Sequence, residues 1–166
     1  MPAAAEPGRA LTFHAADGTI SIAGLATAIG PSLRADLLPP DLDALVSRRL
    51  DHGNGWAWAY MEGFALAGQR CTLALGAFHG HVVQVNWSLT IAGEDYSGGW
   101  PSQAASYKEI ALGIEFLTGV FGPGPHRDPE GGSGYQRAMP WGVVWCGWDA
   151  KGGACSTGLR YERTHS

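Results

Sequence analysis

Charged side chains are scarce in this 166-residue sequence: they make up 16% of it, and only two of the basic residues are lysines. The basic residues form no cluster longer than Arg48-Arg49, and the formal net charge is −4. A nucleic-acid backbone is bound through a basic patch, so the composition argues against that class of partner. A weakly acidic surface is better suited to a basic protein partner.

Long apolar runs are also missing, and the cysteines form no framework. No stretch approaches the ~20 apolar residues of a membrane span, and residues 1–8 have neither the basic start nor the apolar core of a signal peptide. Cys71, Cys146 and Cys155 form no C-x-x-C pair and no even set. We therefore expect a cytoplasmic protein with reduced thiols and no membrane partner.

The length predicts one domain over residues 1–166, in which residues 1–10 form a flexible tail. A short strand at Leu11–His14 is expected to pair with Thr19–Ile22, because Asp17-Gly18 is a hairpin signal. Farther along, Asp41 is a candidate N-cap for a short N-terminal helix that ends at Gly53-Asn54-Gly55. That helix would have the side chains Leu42, Leu45, Val46 and Arg49.

Three alternating segments then predict an antiparallel meander. The apolar side chains are expected on one face of the sheet, and they are Trp56, Trp58, Tyr60, Phe64 and Leu66, then Cys71, Leu73, Leu75 and Ala77, then Val83, Val85, Trp87, Leu89 and Ile91. Keeping these faces together favours pairing Phe78 with Val82 around a three-residue loop, His79-Gly80-His81. For the preceding turn, loops Ala67-Gly68 and Ala67–Arg70 both remain possible.

The segment Ser102–Phe121 predicts the long helix that covers this face, with Ser102 as N-cap and Gly122-Pro123 as its end. Its apolar stripe is Tyr107, Ile110, Ala111, Ile114, Leu117 and Phe121. Leu112 and Phe116 lie off the stripe, so either a second element buries them or they form an exposed patch. Such a patch could support a homodimer.

The C-terminal part is expected to begin with a long irregular loop, residues 122–140, and to close with strands Trp141–Trp148 and Ala154–Glu162. Leu159 and Tyr161 mark the buried face of the last strand. The predicted fold class is therefore α+β: an antiparallel sheet of about five to seven strands, packed on one face by a long helix, plus a shorter N-terminal helix.

No catalytic, cofactor-binding or metal-binding residue is assigned, and no cofactor is expected. His79-x-His81 would fall in a turn and lacks a third ligand of suitable spacing. Glu62 falls on the apolar face, unless a bulge at Met61-Glu62-Gly63 turns it outward. Cys146 and Cys155 lie on neighbouring strands, and His126 or His165 could act as a base for a thiol.

Several short motifs together resemble small bacterial immunity proteins, which protect a producer cell by binding its own secreted toxin. They are the Asn54-Gly55-Trp56 entry into the meander, Gly99-Trp100-Pro101 before the long helix, and a C-terminal part with Trp141-Gly142, Asp149-x-Lys151-Gly152-Gly153 and Tyr161. The resemblance spans most of the chain. Binding residues do not transfer between such families, and none is carried over.

Together with the lack of a catalytic set, the resemblance implies a non-enzymatic protein that neutralises a basic toxin domain by occluding its active site. The candidate partner-binding residues are Glu94, Asp95, Tyr96, Trp100, Arg127, Asp128, Glu130 and Tyr135. Two alternatives remain: a secretion or folding chaperone that dimerises through Leu112 and Phe116, and a small enzyme that uses Glu62 or a Cys/His pair.

Overall fold

The computed structural model describes residues 8–124 and 134–162, which form nine strands and one long helix. The strands are β1 (Arg9–Phe13), β2 (Ile20–Ile22), β3 (Val46–Asp51), β4 (Trp56–Leu66), β5 (Gln69–Phe78), β6 (His81–Thr90), β7 (Gly134–Met139), β8 (Gly142–Asp149) and β9 (Ala154–Tyr161). The helices are α1 (Pro40–Asp43) and α2 (Gln103–Phe121), and a 3-10 turn spans Ala35–Leu37.

The strands form a single mixed sheet, larger than the antiparallel sheet of five to seven strands expected from the sequence. Its order is β2-β1-β4-β5-β6-β9-β8-β7. One edge of β4 pairs with β5, whereas the other edge is shared by β3, which is antiparallel, and β1, which is parallel. A parallel pair joins segments far apart in the chain, so local periodicity does not reveal it.

The N-terminal hairpin is confirmed, but the helix expected after Asp41 is wrong. α1 is a single turn whose N-cap is Pro39, and the residues from Val46 form β3 instead. Arg48 lies over the Tyr60 ring, while the Arg49 guanidinium reaches the Ala35 carbonyl on the other side. Side chains that alternate in this way indicate a strand, and pairing with β4 outweighs the local helical pattern.

The meander is confirmed, although a bulge changes which face of β4 is buried. The turn between β4 and β5 is Ala67-Gly68. The register shifts between Met61 and Phe64. After this bulge Phe64 and Leu66 are buried, as expected. Before it the buried side chains are Ala59 and Met61, and the prediction that Trp56, Trp58 and Tyr60 are buried is wrong. Glu62 is exposed at this bulge, as the alternative interpretation of the sequence expected.

The expected register of β5 and β6 is confirmed along most of their length, since Leu75 pairs with Val85 and Leu73 with Trp87. The three-residue loop is wrong. Phe78 pairs with His81 around His79-Gly80, and a register shift near Ala77 then restores the expected pairing. Both turn residues have positive φ, 48° and 84°, which matches the tight hairpin turns that suit twisted strands.

α2 has the predicted limits, because the Ser102 hydroxyl accepts a hydrogen bond from the Ala105 amide at 3.0 Å and the helix ends at Gly122. The buried face is rotated from the predicted stripe: Tyr107 and Ala111 are exposed. Its buried residues are Ala105, Ser106, Glu109, Ile110, Gly113, Leu117 and Phe121. A Cβ on Gly113 would lie 2.6 Å from Cys146 Sγ, so glycine permits the close approach of α2 to β8.

The predicted irregular loop, residues 122–140, contains β7, which pairs antiparallel with β8. Residues 125–133 of that loop lie outside the described residues. The two closing strands are confirmed, and Leu159 and Tyr161 are buried. Leu112 and Phe116 are partly buried against the core, and the Phe116 ring packs edge-on against Phe13 of β1. The N-terminal hairpin therefore covers part of Phe116, one of the two residues suggested for a homodimer.

Candidate functional site: an exposed aromatic patch at the start of α2

Three exposed aromatic side chains lie around the first turns of α2. Trp100 is 60% exposed, Tyr107 is 54% exposed and Trp148, at the end of β8, is 37% exposed. The rings of Tyr107 and Trp148 pack against each other with centroids 5.4 Å apart. Only two other large hydrophobic side chains are exposed in the described part of the chain, Leu37 and Leu50. We call Trp100, Tyr107 and Trp148 the α2 aromatic patch.

The segment between β6 and α2 is ordered by hydrogen bonds with its own residues. The Tyr96 hydroxyl accepts from the Ile91 amide at 2.8 Å, and the Tyr96 carbonyl accepts from the Gly99 amide at 3.0 Å. Trp100 follows directly, two residues before the N-cap of α2. This attachment fixes the backbone that presents the Trp100 ring, so little ordering is needed when a partner binds.

Acidic side chains border the α2 aromatic patch. Glu94 forms an ion pair with Lys108 of α2, and Asp95 is exposed. Hydrogen bonds from the side chain and amide of Ser97 hold the pKa of the Asp95 carboxyl below its usual value, so this group stays ionised at neutral pH. Asp149 follows Trp148 directly, but strand alternation places its exposed side chain on the other face of the sheet, where it lines a cleft with Tyr60 and Asn86. The surface therefore combines aromatic rings with negative charge.

The structure brings Glu94, Asp95 and Trp100 of the predicted binding residues together, and Tyr96 lies half-buried as their anchor. Tyr135 lies elsewhere, because it is buried and its hydroxyl donates to the Gly122 carbonyl at 2.8 Å. It closes the C-terminal end of α2 and offers no ring to a partner. The predicted residues Arg127, Asp128 and Glu130 lie outside the described residues.

The sequence did not assign Tyr107 and Trp148 to the site. Tyr107 fits a 3.6-residue spacing and was expected in the buried stripe. Trp148 alternates with other apolar residues of β8, so its exposure follows only from its position at the end of the strand beside α2. An excess of tryptophan was the one available signal.

Glu109 is a buried carboxylate that the sequence did not single out. Its Oε1 accepts a hydrogen bond from the Leu89 amide at 2.7 Å and one from the Ser88 hydroxyl at 3.4 Å. β9 pairs with β6 only over Gln84–Asn86. Glu109 therefore bonds to β6 at Ser88 and Leu89, where β9 no longer pairs with that strand. Burial raises the pKa of the Glu109 carboxyl.

Two of the three thiols, Cys71 and Cys155, are held protonated, whereas hydrogen bonds with Cys155 and Thr157 lower the pKa of the Cys146 thiol. Thr157 Oγ1 lies 3.2 Å from the sulfurs of both Cys146 and Cys155. The neighbouring Cys146 thiol and burial raise the pKa of Cys155, and burial with the Glu109 charge raises the pKa of Cys71 to about 12. A thiol held protonated is a poor nucleophile. The histidines proposed as bases, His126 and His165, lie outside the described residues.

The paired histidines His79 and His81 each contact a neighbouring side chain. His81 contacts the Arg34 guanidinium, with Nε2 3.2 Å from Nη1, and the His79 ring packs on Phe78. Within residues 8–124 and 134–162, no group of three or more His, Cys, Asp or Glu side chains could hold a metal ion. The described residues also include no helix that is long and apolar enough to cross a membrane.

A cleft of about 340 Å³ opens between β6 and β9. Its lining residues are Tyr60, Thr72, Leu73, Ala74, Asn86, Trp87, Ser88, Asp149, Cys155, Ser156 and Thr157.

The described residues form an α+β fold with one long helix and a solvent-facing aromatic surface, and a solved structure provides a comparison. A chain in the structure described as "Rhs1-CT in complex with cognate immunity protein RhsI1" is similar over 94% of this chain and 90% of that one, with a TM-score of 0.48 and 12% identity. That structure contains an immunity protein, the class of protein that the sequence motifs resemble. At this similarity neither a function nor a contact residue is transferred. No family model matches the sequence, and no curated protein does either.

Proposed function

We propose that this chain is a non-enzymatic immunity protein of the bacterial cytoplasm, which neutralises a cognate toxin by binding over its active site. The α2 aromatic patch supports this proposal most directly. Tryptophan and tyrosine are enriched among the residues that contribute most to binding at protein interfaces, and three such side chains are exposed near the start of α2.

The charge at the border of the patch indicates the kind of toxin surface that would fit. Asp95 is an exposed carboxylate, and the carboxylate of Glu94 neutralises the nearby Lys108 by an ion pair. A basic toxin domain would gain both electrostatic attraction and aromatic burial at this position. Arg127, Asp128 and Glu130 remain candidate binding residues from the sequence alone, whereas Tyr135 is withdrawn because its ring belongs to the core.

The direct test is co-expression with the protein encoded by the neighbouring gene, followed by titration calorimetry of the purified pair. Expression of a toxin alone should arrest growth, and this chain should restore it. Trp100→Ala should weaken the complex by more than about tenfold, as expected for a central interface tryptophan. Leu37→Ala is the matched control, since Leu37 is 74% exposed but lies on the 3-10 turn.

Two results would contradict the proposal. One is the absence of any complex with the neighbouring gene product. The other is a complex that Leu37→Ala weakens as much as Trp100→Ala does, because binding would then not depend on the α2 aromatic patch.

A further inference from the structure

A second surface lies on the side of the sheet that faces away from α2. We call this side the outer face. Cys146 Sγ packs close to Gly113 of α2, and its neighbour Trp145 therefore points to the other side. Strand pairing places two adjacent rows of residues on this outer face. The first row is Leu50, Trp58, Gly76, Gln84 and Arg160, and the second is Arg48, Tyr60, Ala74, Asn86, Gly158 and Trp145.

The aromatic rings of the outer face are held flat against the strands. A Cβ on Gly76 would lie 2.9 Å from the Trp58 ring, and one on Gly158 would lie 2.8 Å from the Trp145 ring. Each ring therefore occupies the space above a glycine. The Trp145 indole nitrogen donates to the Ser156 hydroxyl at 3.1 Å, which fixes the ring orientation. Both rings remain half-buried and so still reach solvent.

The charges within these two rows are positive and unpaired. Arg48 and Arg160 are both exposed, and within the described residues neither has a carboxylate in contact. The Arg48 guanidinium is stacked 4.5 Å above the Tyr60 ring centroid, which orients its N–H groups before any ligand arrives. Between the two arginines lie the amides of Gln84 and Asn86, joined by a hydrogen bond of 2.9 Å.

We propose that the outer face is a second binding surface, which takes an acidic polypeptide segment with apolar residues beside its carboxylates. The guanidinium groups of Arg48 and Arg160 would each bind a carboxylate, and the rings of Trp58 and Trp145 would pack on the apolar residues. This surface is distinct from the α2 aromatic patch, because the two lie on opposite sides of the sheet. The proposal of this second binding surface does not depend on the proposed immunity function.

Charge complementarity favours a polypeptide over a nucleic acid. The two rows offer only two guanidinium groups, and three exposed carboxylates lie near them: Glu62 at the bulge after Tyr60, Glu162 two residues after Arg160, and Asp149 in the cleft beside Tyr60 and Asn86. A strand of phosphates would meet these carboxylates, whereas a peptide can place its few carboxylates opposite the arginines alone. Discrimination of this kind is typical of protein surfaces with interspersed charge.

The test is a selection of random linear peptides on the immobilised full chain, with counter-selection on Arg48→Glu/Arg160→Glu. Recovered peptides are then synthesised with a fluorophore and titrated by anisotropy. Lys151→Glu is the matched control, because it makes the same charge change at an exposed turn residue away from both rows. Thermal unfolding of each variant verifies that it is folded.

Recovered peptides should be rich in Asp and Glu with neighbouring apolar residues. Their affinity should fall about tenfold or more in the double variant, and remain within about twofold in Lys151→Glu. Glu62→Gln should strengthen binding, since it removes a repelling charge beside the rows. Recovery of basic or uncharged peptides, or equal loss in both charge variants, would overturn the proposal. So would tighter binding of a single-stranded RNA oligonucleotide than of any recovered peptide.

Discussion

The side chain of Glu109 connects α2 to β6 by hydrogen bonds at the point where β6 and β9 separate. A carboxylate inside a core is unfavourable unless donors surround it, and here the Leu89 amide and the Ser88 hydroxyl provide them. Cys71 and Cys155 also lie close enough for its charge to raise their pKa values. The site therefore explains how α2 accommodates its single buried acid against β6.

Glu109→Gln should reduce the pH dependence of stability. Burial raises the folded-state pKa above its usual value of 4.5, so the folded protein binds the proton more tightly than the unfolded chain. The contribution of Glu109 to the free energy of unfolding is thus most favourable at low pH and declines as pH rises through the raised pKa. Urea unfolding across this range should show the decline in the wild type and not in the variant.

Glu115→Gln is the control for that experiment, because Glu115 is exposed on the same helix. It should leave the profile of the wild type unchanged. If Glu109→Gln and the wild type lose stability in parallel as pH rises, Glu109 does not titrate in the way its burial requires.

At the scale of elements, α2 begins and ends where its capping residues place it. The Ser102 hydroxyl satisfies an amide that the first turn of a helix leaves unpaired, and Gly122 adopts a φ of 91° at the other end. The α2 aromatic patch sits around this first turn. The geometry of the cap therefore also determines how Trp100 and Tyr107 are presented.

Ser102→Ala should lower the free energy of unfolding by about 1 kcal/mol, the usual cost of losing an N-cap. Thr118→Ala, at an exposed position in the same helix, should change it by less than about 0.5 kcal/mol. Chemical denaturation measures both. Equal effects would mean that the Ser102 hydroxyl contributes nothing specific as a cap.

At the scale of the whole molecule, the N-terminal hairpin is joined to the C-terminal strands. The Tyr161 hydroxyl donates to the Gly18 carbonyl at 2.7 Å, and the Trp141 indole donates to the Ala15 carbonyl at 2.8 Å. The Trp141 ring also fills the space where a Cβ of Gly18 would be, 2.6 Å away. These contacts connect the start of the described chain with its end.

Tyr161→Phe should destabilise the fold by about 1–3 kcal/mol, because the Gly18 carbonyl loses its partner in a buried position. Tyr107→Phe is the control: the Tyr107 hydroxyl only accepts an exposed hydrogen bond from the Gln103 side chain, so its loss should matter by less than about 0.5 kcal/mol. Hydrogen exchange should show faster opening of the hairpin amides in Tyr161→Phe. Unchanged protection of those amides would contradict the role given to this contact.

Part of the candidate site could be predicted from the sequence. Glu94, Asp95 and Trp100 lie in one short segment before a recognisable helix, so their proximity needs no tertiary information. Tyr107 and Trp148 could not be predicted, because they meet only when β8 lies beside α2. Tyr135 was misplaced for a similar reason: pairing of β7 with β8 turns its ring into the core.

Local patterns by themselves determined the alternation of β5 and β6, the limits of α2 and the closing hairpin. Each depends on neighbouring residues in the chain, through a period of two or of 3.6 and through capping groups. The tertiary structure alone decided that residues 46–51 form a strand, that β1 runs parallel to β4 and that a bulge turns Trp58 and Tyr60 onto the outer face. Those outcomes depend on which strand edges meet, and edge pairing joins residues that the sequence keeps apart.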